Sequence, residues 1–154
     1  MVGLGNELRG DDGAGILVAR RVRTSAAQAG IQVREIGDEP TALTEACLGR
    51  DVVIVTEAMR SGSAPGTIRR LDASSGPVPR GLTRRSSTHA IGLDETIELA
   101  RALDRLPARL LVYAVEGAQF DPGADLSPEV QAAIPELVQM VLAEATASAE
   151  TRLS

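Results

Sequence analysis

A chain of 154 residues, 44% of them apolar, is sized for one domain with a full hydrophobic core. The net charge of -5 argues against nucleic acid or an anionic membrane as partner, and the single cysteine, Cys47, excludes an internal disulfide. No apolar run reaches the roughly 18 residues that a bilayer span needs and no signal-peptide pattern opens the chain, so the expectation is a cytoplasmic protein, taken as a monomer.

Residues 3–15 pack five glycines, Asn6 and the adjacent acids Asp11 and Asp12 into one short run directly after the start. So much glycine is needed only where the backbone bends sharply or lets another group approach closely. If a first strand precedes this turn, it is a short one, because only Met1 and Val2 lie before the run. Residues 13–28 carry Ile16, Leu17, Val18, Ala19 and Val22 at near-helical spacing, with Gly30 as the stop. Residues 31–36 alternate as a strand does, and residues 41–48 suit a short helix ended by Gly49, with Cys47 packed in the core. The β-branched run 51–56 fits a central strand covered on both faces. A turn at 61–66 leads into a strand at 67–71 that folds back antiparallel. Residues 72–88 show no periodicity, and so long a loop in a compact domain is usually functional or mobile. An amphipathic helix over 91–103, a strand over 109–115 and a final helix from 127 to about 147 complete the chain, with Pro128 at the first helical position, Pro135 as a kink and a frayed tail from Thr146. Alternating strands and helices imply a mainly parallel sheet covered on both faces.

In such a sheet, ligands bind beyond the carboxyl ends of the strands. Asp12, Glu57 and His89, the only histidine, all fall at such ends. Two oxygen donors and one imidazole make a candidate site for a divalent metal, where a bound water would become more acidic and more nucleophilic. Each residue also has a plainer role. Asp11 or Asp12 can cap the following helix, Glu57 can be a solvated acid at a strand end, and His89 can be part of a helix start. For the acids of the opening run, the reading is that Asp11 serves the helix and Asp12 faces the cleft. Nucleotide readings fail on spacing: a dinucleotide fingerprint requires glycine where Leu8 stands, and the absence of lysine excludes a Walker loop.

At these residues the chain resembles the maturation endopeptidases of nickel-iron hydrogenases. The family's opening signature stands here as Gly3-Leu4-Gly5-Asn6 followed by Asp11-Asp12-Gly13-Ala14-Gly15. Its middle signature resembles Val52-Val53-Ile54-Val55-Thr56-Glu57-Ala58 with Pro65-Gly66, and its histidine motif matches Ser87-Thr88-His89 with Gly92-Leu93. A late strand, acid and Leu-Ser-Pro pattern matches residues 112–116 and Leu126-Ser127-Pro128. The match is specific because four motifs occur in order over nearly the whole chain.

The resemblance implies a three-layer α/β/α domain of the phosphorylase/hydrolase-like kind, built on a five-stranded mixed, mostly parallel sheet. It implies an endopeptidase that removes a C-terminal extension from the nickel-loaded large-subunit precursor of the hydrogenase. By the same resemblance, Asp12, Glu57 and His89 form the metal-contacting and catalytic triad, with Asn6 and Asp38 as substrate-binding residues. Nickel is then recognised in the substrate, and another divalent metal in the triad stays an open alternative, as does a carboxylate base acting without it. The chain departs from the pattern in carrying Glu57 where the family usually has Asp, which moves the carboxylate by about 1.5 Å, and in the order Gly37-Asp38 after the second strand. Two other readings stand beside this one: a non-catalytic binding or chaperone module on the same fold, and a related metallopeptidase acting on a different precursor.

Overall fold

The computed structural model describes residues 1–37, 39, 42–80 and 91–153. Five strands form one mixed sheet in the order β2-β1-β3-β5-β4. Strands β1 (Val2–Leu4), β2 (Arg34–Ile36), β3 (Val52–Met59) and β5 (Arg109–Glu116) are parallel, and β4 (Ile68–Asp72) pairs antiparallel with β5 at the edge. The β3–β5 ladder is the long one, in register from Val52↔Arg109 to Met59↔Glu116.

Helices cover both faces. Side chains alternate across a strand, so β3 sends Val53, Val55 and Met59 one way and Ile54 and Ala58 the other. The first set packs with Leu43 and Cys47 of α2 (Ala42–Cys47) and Leu93 and Ile97 of α3 (Leu93–Ala102). The second packs with Val18 and Val22 of α1 (Ala14–Gln28) and Ile134, Leu137 and Val141 of α4 (Pro128–Leu153). The five-stranded mixed sheet and its helical layers agree with the expected architecture, and among the described residues no helix is long and apolar enough to cross a membrane.

The departures from expectation have local causes. The strand expected over 31–36 contributes only Arg34–Ile36 to the sheet, because the start of that segment closes α1. Gly30 has φ +69°, its N–H bonds Ala27 O at 3.1 Å, and the Ile31 N–H bonds Ala26 O at 2.8 Å, a Schellman closure. Strand β3 runs two residues beyond Glu57, since Ala58 and Met59 are buried and paired with Val115 and Glu116. Helix α4 continues through Pro135, which lies on the exposed face, and on to Leu153 rather than ending near 147. The alanine-rich stretch 143–149 favours helix intrinsically, and Ala145 and Ser148 are buried. Part of the long segment after β4 is tied down: Arg101 Nη2 of α3 donates to Gly76 O at 2.7 Å, and the Val78 N–H donates to Glu98 Oε1 at 3.0 Å.

The start of α1 approaches the sheet with almost no clearance. Thr56 Oγ1, fully buried, donates to Gly15 O at 3.0 Å, and a Cβ on Gly15 would lie 2.3 Å from both Leu4 O and Thr56 O. Gly15→Ala must therefore push α1 away from β1 and β3, with an expected loss of about 2–3 kcal/mol and a melting temperature lower by roughly 5–10 °C. Thermal unfolding followed by circular dichroism checks this, and a wild-type melting temperature would contradict it.

Candidate functional site

The glycine-rich run is the turn that carries the chain from β1 into α1. Gly5 takes φ +131°, and a Cβ there would lie 1.8 Å from Asp12 O, so only glycine allows the strand end and the Asp12 backbone to lie together. A short 3-10 helix, Gly10–Gly13, then leads into α1. Within the turn, Asp12 Oδ2 accepts the Asn6 N–H at 3.1 Å, and Asn6 Oδ1 accepts the Leu8 N–H at 2.9 Å. Asn6 thus holds the turn that presents Asp12. Farther along, Glu7 and Glu35 both pair with Arg20, which fastens the outer side of the turn to α1.

Asp11 does not cap the helix, contrary to the reading of the opening run. Neither the 3-10 helix nor α1 has a side-chain cap, and Asp11 is fully buried and points away from the helix start. Its Oδ2 accepts the N–H groups of Ala118 at 2.7 Å and Gln119 at 3.0 Å, and its Oδ1 accepts the Ser127 N–H at 2.6 Å. One carboxylate therefore organises the whole connection from β5 to α4. Sequence reasoning missed this because all three donors lie more than a hundred residues away.

Glu57 stands near the carboxyl end of β3, and strand alternation directs it toward the α3 layer. Part of the residue reaches solvent, yet its Oε2 is buried with no hydrogen-bond partner. Burial pushes its carboxyl well above the ordinary glutamate range, and the negative charges of Asp12 and Asp94 push it further. A buried carboxylate oxygen with nothing to bond is a group waiting for a proton or a cation.

The fold thus brings Asp12 and Glu57 together across the β1–β3 boundary, and adds Asp94 from the first turn of α3. Asp94 is 8% exposed. In sequence it reads as an acid complementing a helix dipole, and only its burial distinguishes it. His89 and Asp38 lie outside the described residues. Among the described residues no group of three His, Cys, Asp or Glu side chains is gathered closely enough to hold a metal ion. The two carboxylates, with the imidazole that the sequence puts just before α3, would be a donor set suited to borderline divalent ions, and the orphaned Glu57 oxygen fits such use.

Glu116, at the end of β5, is also buried, but its oxygens are committed. They accept the N–H groups of Ser61 and Gly62 at 2.9 Å and the Ser61 hydroxyl at 2.7 Å, fixing the turn that follows β3. The sheet's amino edge holds a groove of about 430 Å³, lined by Ile31, Arg34, Arg50, Val52 and Ser148 among others. It lies at the opposite end of the strands from the acids, away from where parallel sheets place their chemistry.

A family profile described as hydrogenase maturation protease matches residues 16–144. The hydrogenase expression/formation protein HupD of Thiocapsa roseopersicina is 29% identical over 145 residues, covering 92% of this chain and 65% of that protein. HoxM of Azotobacter vinelandii, described in the same words, is 28% identical over 148 residues, covering 92% of this chain and 69% of its own length. The chain thus spans about two thirds of these relatives. Among solved structures, the hydrogenase maturating endopeptidase HybD from E. coli superposes with a TM-score of 0.75 at 26% identity, covering 96% of this chain and 91% of that one. The [NiFe] hydrogenase maturation protease HycI from Thermococcus kodakarensis gives 0.71 at 20% identity, covering 94% and 89%, and supports the fold.

Proposed function

The chain belongs to the hydrogenase maturation protease family, a family of peptide hydrolases, and on that premise we propose that it removes a C-terminal extension from the nickel-loaded large-subunit precursor of a nickel-iron hydrogenase. The observation that carries this reading is the Glu57 carboxyl, held with one buried, unbonded oxygen beside Asp12. Two acids forced together are unfavourable unless a proton or a cation joins them. The nickel ion of the precursor is such a cation, and Asp12, Glu57 and His89 are the groups that contact it.

Docking then selects for loaded precursor. Without the ion, burial and the neighbouring acids make Glu57 hold its proton more tightly than an ordinary glutamate, and the cleft repels a further carboxylate. With it, Glu57 gives up its proton and the peptide next to the metal is held over the two acids. Asp12, whose Oδ2 accepts the Asn6 N–H and which is partly open to solvent, is placed to take the proton of an attacking water. Asn6 and Asp38 are the residues assigned to substrate binding in this reading. A resident divalent ion on the same donors would supply the complementary chemistry of an acidified water.

Incubation with purified nickel-loaded precursor is expected to shorten it, with nickel-free precursor left intact. His89→Ala is expected to abolish cleavage, read by mass spectrometry of the released peptide. Wild-type activity in His89→Ala would overturn the triad assignment, and an uncut loaded precursor would overturn the reading as a whole.

A further inference from the structure

Helix α3 holds both described ends of the connection that leads into it. At the near end, Arg101 Nη2 donates to the carbonyls of Ala73 and Gly76, the latter at 2.7 Å, and the Val78 N–H donates to Glu98 Oε1 at 3.0 Å. Arg101 Nε closes the group on Glu98 Oε2 at 3.3 Å. The Val78 N–H and the Arg101 charge hold the Glu98 carboxyl below the ordinary glutamate range, so these are contacts of a charged carboxylate. At the far end, the Gly92 N–H donates to Glu95 Oε2 at 3.3 Å and the Thr96 hydroxyl donates to Gly92 O at 2.9 Å. One helix thus grips residues 73–78 with its second half and Gly92 with its first.

The near end is fixed to the sheet as well. The Ala73 N–H donates to Leu110 O at 2.8 Å, the Leu110 N–H reaches Ser74 Oγ at 3.4 Å, and Ala73 and Val78 are buried with Leu93, Ile97 and Leu110. Residues 73–78 are therefore a bridge from β5 to α3, on the face of the sheet toward which Glu57 is directed. Packing by Leu93 and Ile97 fixes the height of α3 above the sheet, but apolar contact is non-directional and sets neither slide nor rotation. Hydrogen bonds from Arg101 and Glu98 to a backbone docked on β5 define both. Asp94, beside Glu57, lies about 10 Å along the helix axis from Arg101.

Resting on the proteolytic reading above, we propose that Arg101 and Glu98 are positioning residues of the cleavage site: their grip on residues 73–78 sets where the start of α3, with Asp94, stands beside Glu57, and from where the chain that carries His89 sets out. His89 itself belongs to residues 81–90, outside those described, and is tied to the anchors at Val78 and Gly92 by the chain alone. Arg101 and Glu98 touch no substrate and move no proton. They act through the placement of other groups, where a displacement of about 1 Å costs up to roughly 100-fold in rate.

Arg101→Met keeps an apolar stem against the bridge and removes every donor, whereas Arg101→Lys keeps a charge that can reach the carbonyls. His89 is the only histidine of the chain, so its imidazole protons can be followed singly by NMR, and bound nickel ion broadens them. Wild type and both variants are compared, at a temperature where each is folded, in steady-state cleavage of nickel-loaded precursor and in titration of the free protein with nickel ion alone. Arg101→Met is expected to lower kcat about tenfold with KM within about twofold, and to require about tenfold more nickel to broaden the His89 signal. Arg101→Lys should recover part of both losses. A brace that served stability alone would lower the melting temperature and leave both readouts of the folded protein unchanged, and either readout unchanged in Arg101→Met would overturn the proposal. Should Arg101→Met fail to fold, Glu98→Gln, which keeps an acceptor for the Val78 N–H, carries the same test with effects of about threefold. Wild-type values in it would overturn the proposal equally. If wild type leaves the precursor uncut, the proteolytic reading fails on its own, and the nickel response of His89 decides the role of Arg101: a weakened response in Arg101→Met supports it and an equal one overturns it.

Discussion

Glu57→Gln is expected to reduce precursor cleavage by about 100-fold or more while raising the thermal stability of the metal-free protein at neutral pH. The two effects share one cause. Folding buries the Glu57 carboxyl beside Asp12 and Asp94, so the folded chain holds that proton more tightly than the unfolded chain does. Its contribution to stability is complete below the ordinary glutamate value of 4.5 and is lost as pH rises through the elevated value of the folded state. Glutamine keeps the shape and cannot ionise, so its advantage over glutamate should grow from pH 4 toward neutrality. Melting curves of both proteins across that range, recorded with chelator present, check the prediction. Parallel pH profiles for the two proteins would show that Glu57 ionises freely in the fold. Loss of function joined to gain of stability is the mark of a group kept for chemistry at the expense of the fold.

Asp11→Asn is expected to be the more damaging change to the fold. The Asp11 carboxylate is fully buried and accepts three backbone N–H groups from the segment joining β5 to α4. Asparagine keeps one acceptor oxygen but must aim its NH2 group at a backbone donor, leaving at least one N–H unbonded and opposed by that group. A loss of about 3–5 kcal/mol is expected, with a melting temperature lower by roughly 10 °C. Cleavage should fall as well, because Asp11 adjoins Asp12 in the short 3-10 turn that presents it to the cleft. Thermal and denaturant unfolding measure the first effect, and a melting temperature within the error of wild type would refute the role assigned to Asp11.

The neighbouring acids Asp11 and Asp12 show what could and could not be read from the chain. Patterns that repeat over a few residues reveal themselves locally: the helical spacing of Ile16 to Val22, the β-branched run into Glu57, and the glycine stops at Gly30 and Gly49. Four ordered motifs also pointed to the family, and through it to the mixed strand order. Nothing local distinguishes two adjacent aspartates, however. Their division of labour depends on N–H groups presented from the far end of the chain to Asp11, and on a strand end that brings Glu57 beside Asp12. Asp94 was hidden for the same reason, since an acid in a first helical turn has an ordinary explanation until its burial is seen. Glu116 was recognised as an acid within a pattern, but its engagement of Ser61 and Gly62 is a tertiary fact.

The unequal ladders on either side of β3 also bear on how the cleft is held. Toward β5 the strand is paired at eight positions, and toward β1 at two. Asp12 lies in the 3-10 turn that follows β1, the strand of the short ladder, and Glu57 belongs to the long one. Regions with few paired backbone groups open at lower free energy than those with many, so the two acids belong to units of different local stability. The boundary between those units runs through the cleft itself. Spacing between the acids is thereby set across the shorter of the two seams, and a cation held by both would act as a clasp between a briefly paired strand and a long one.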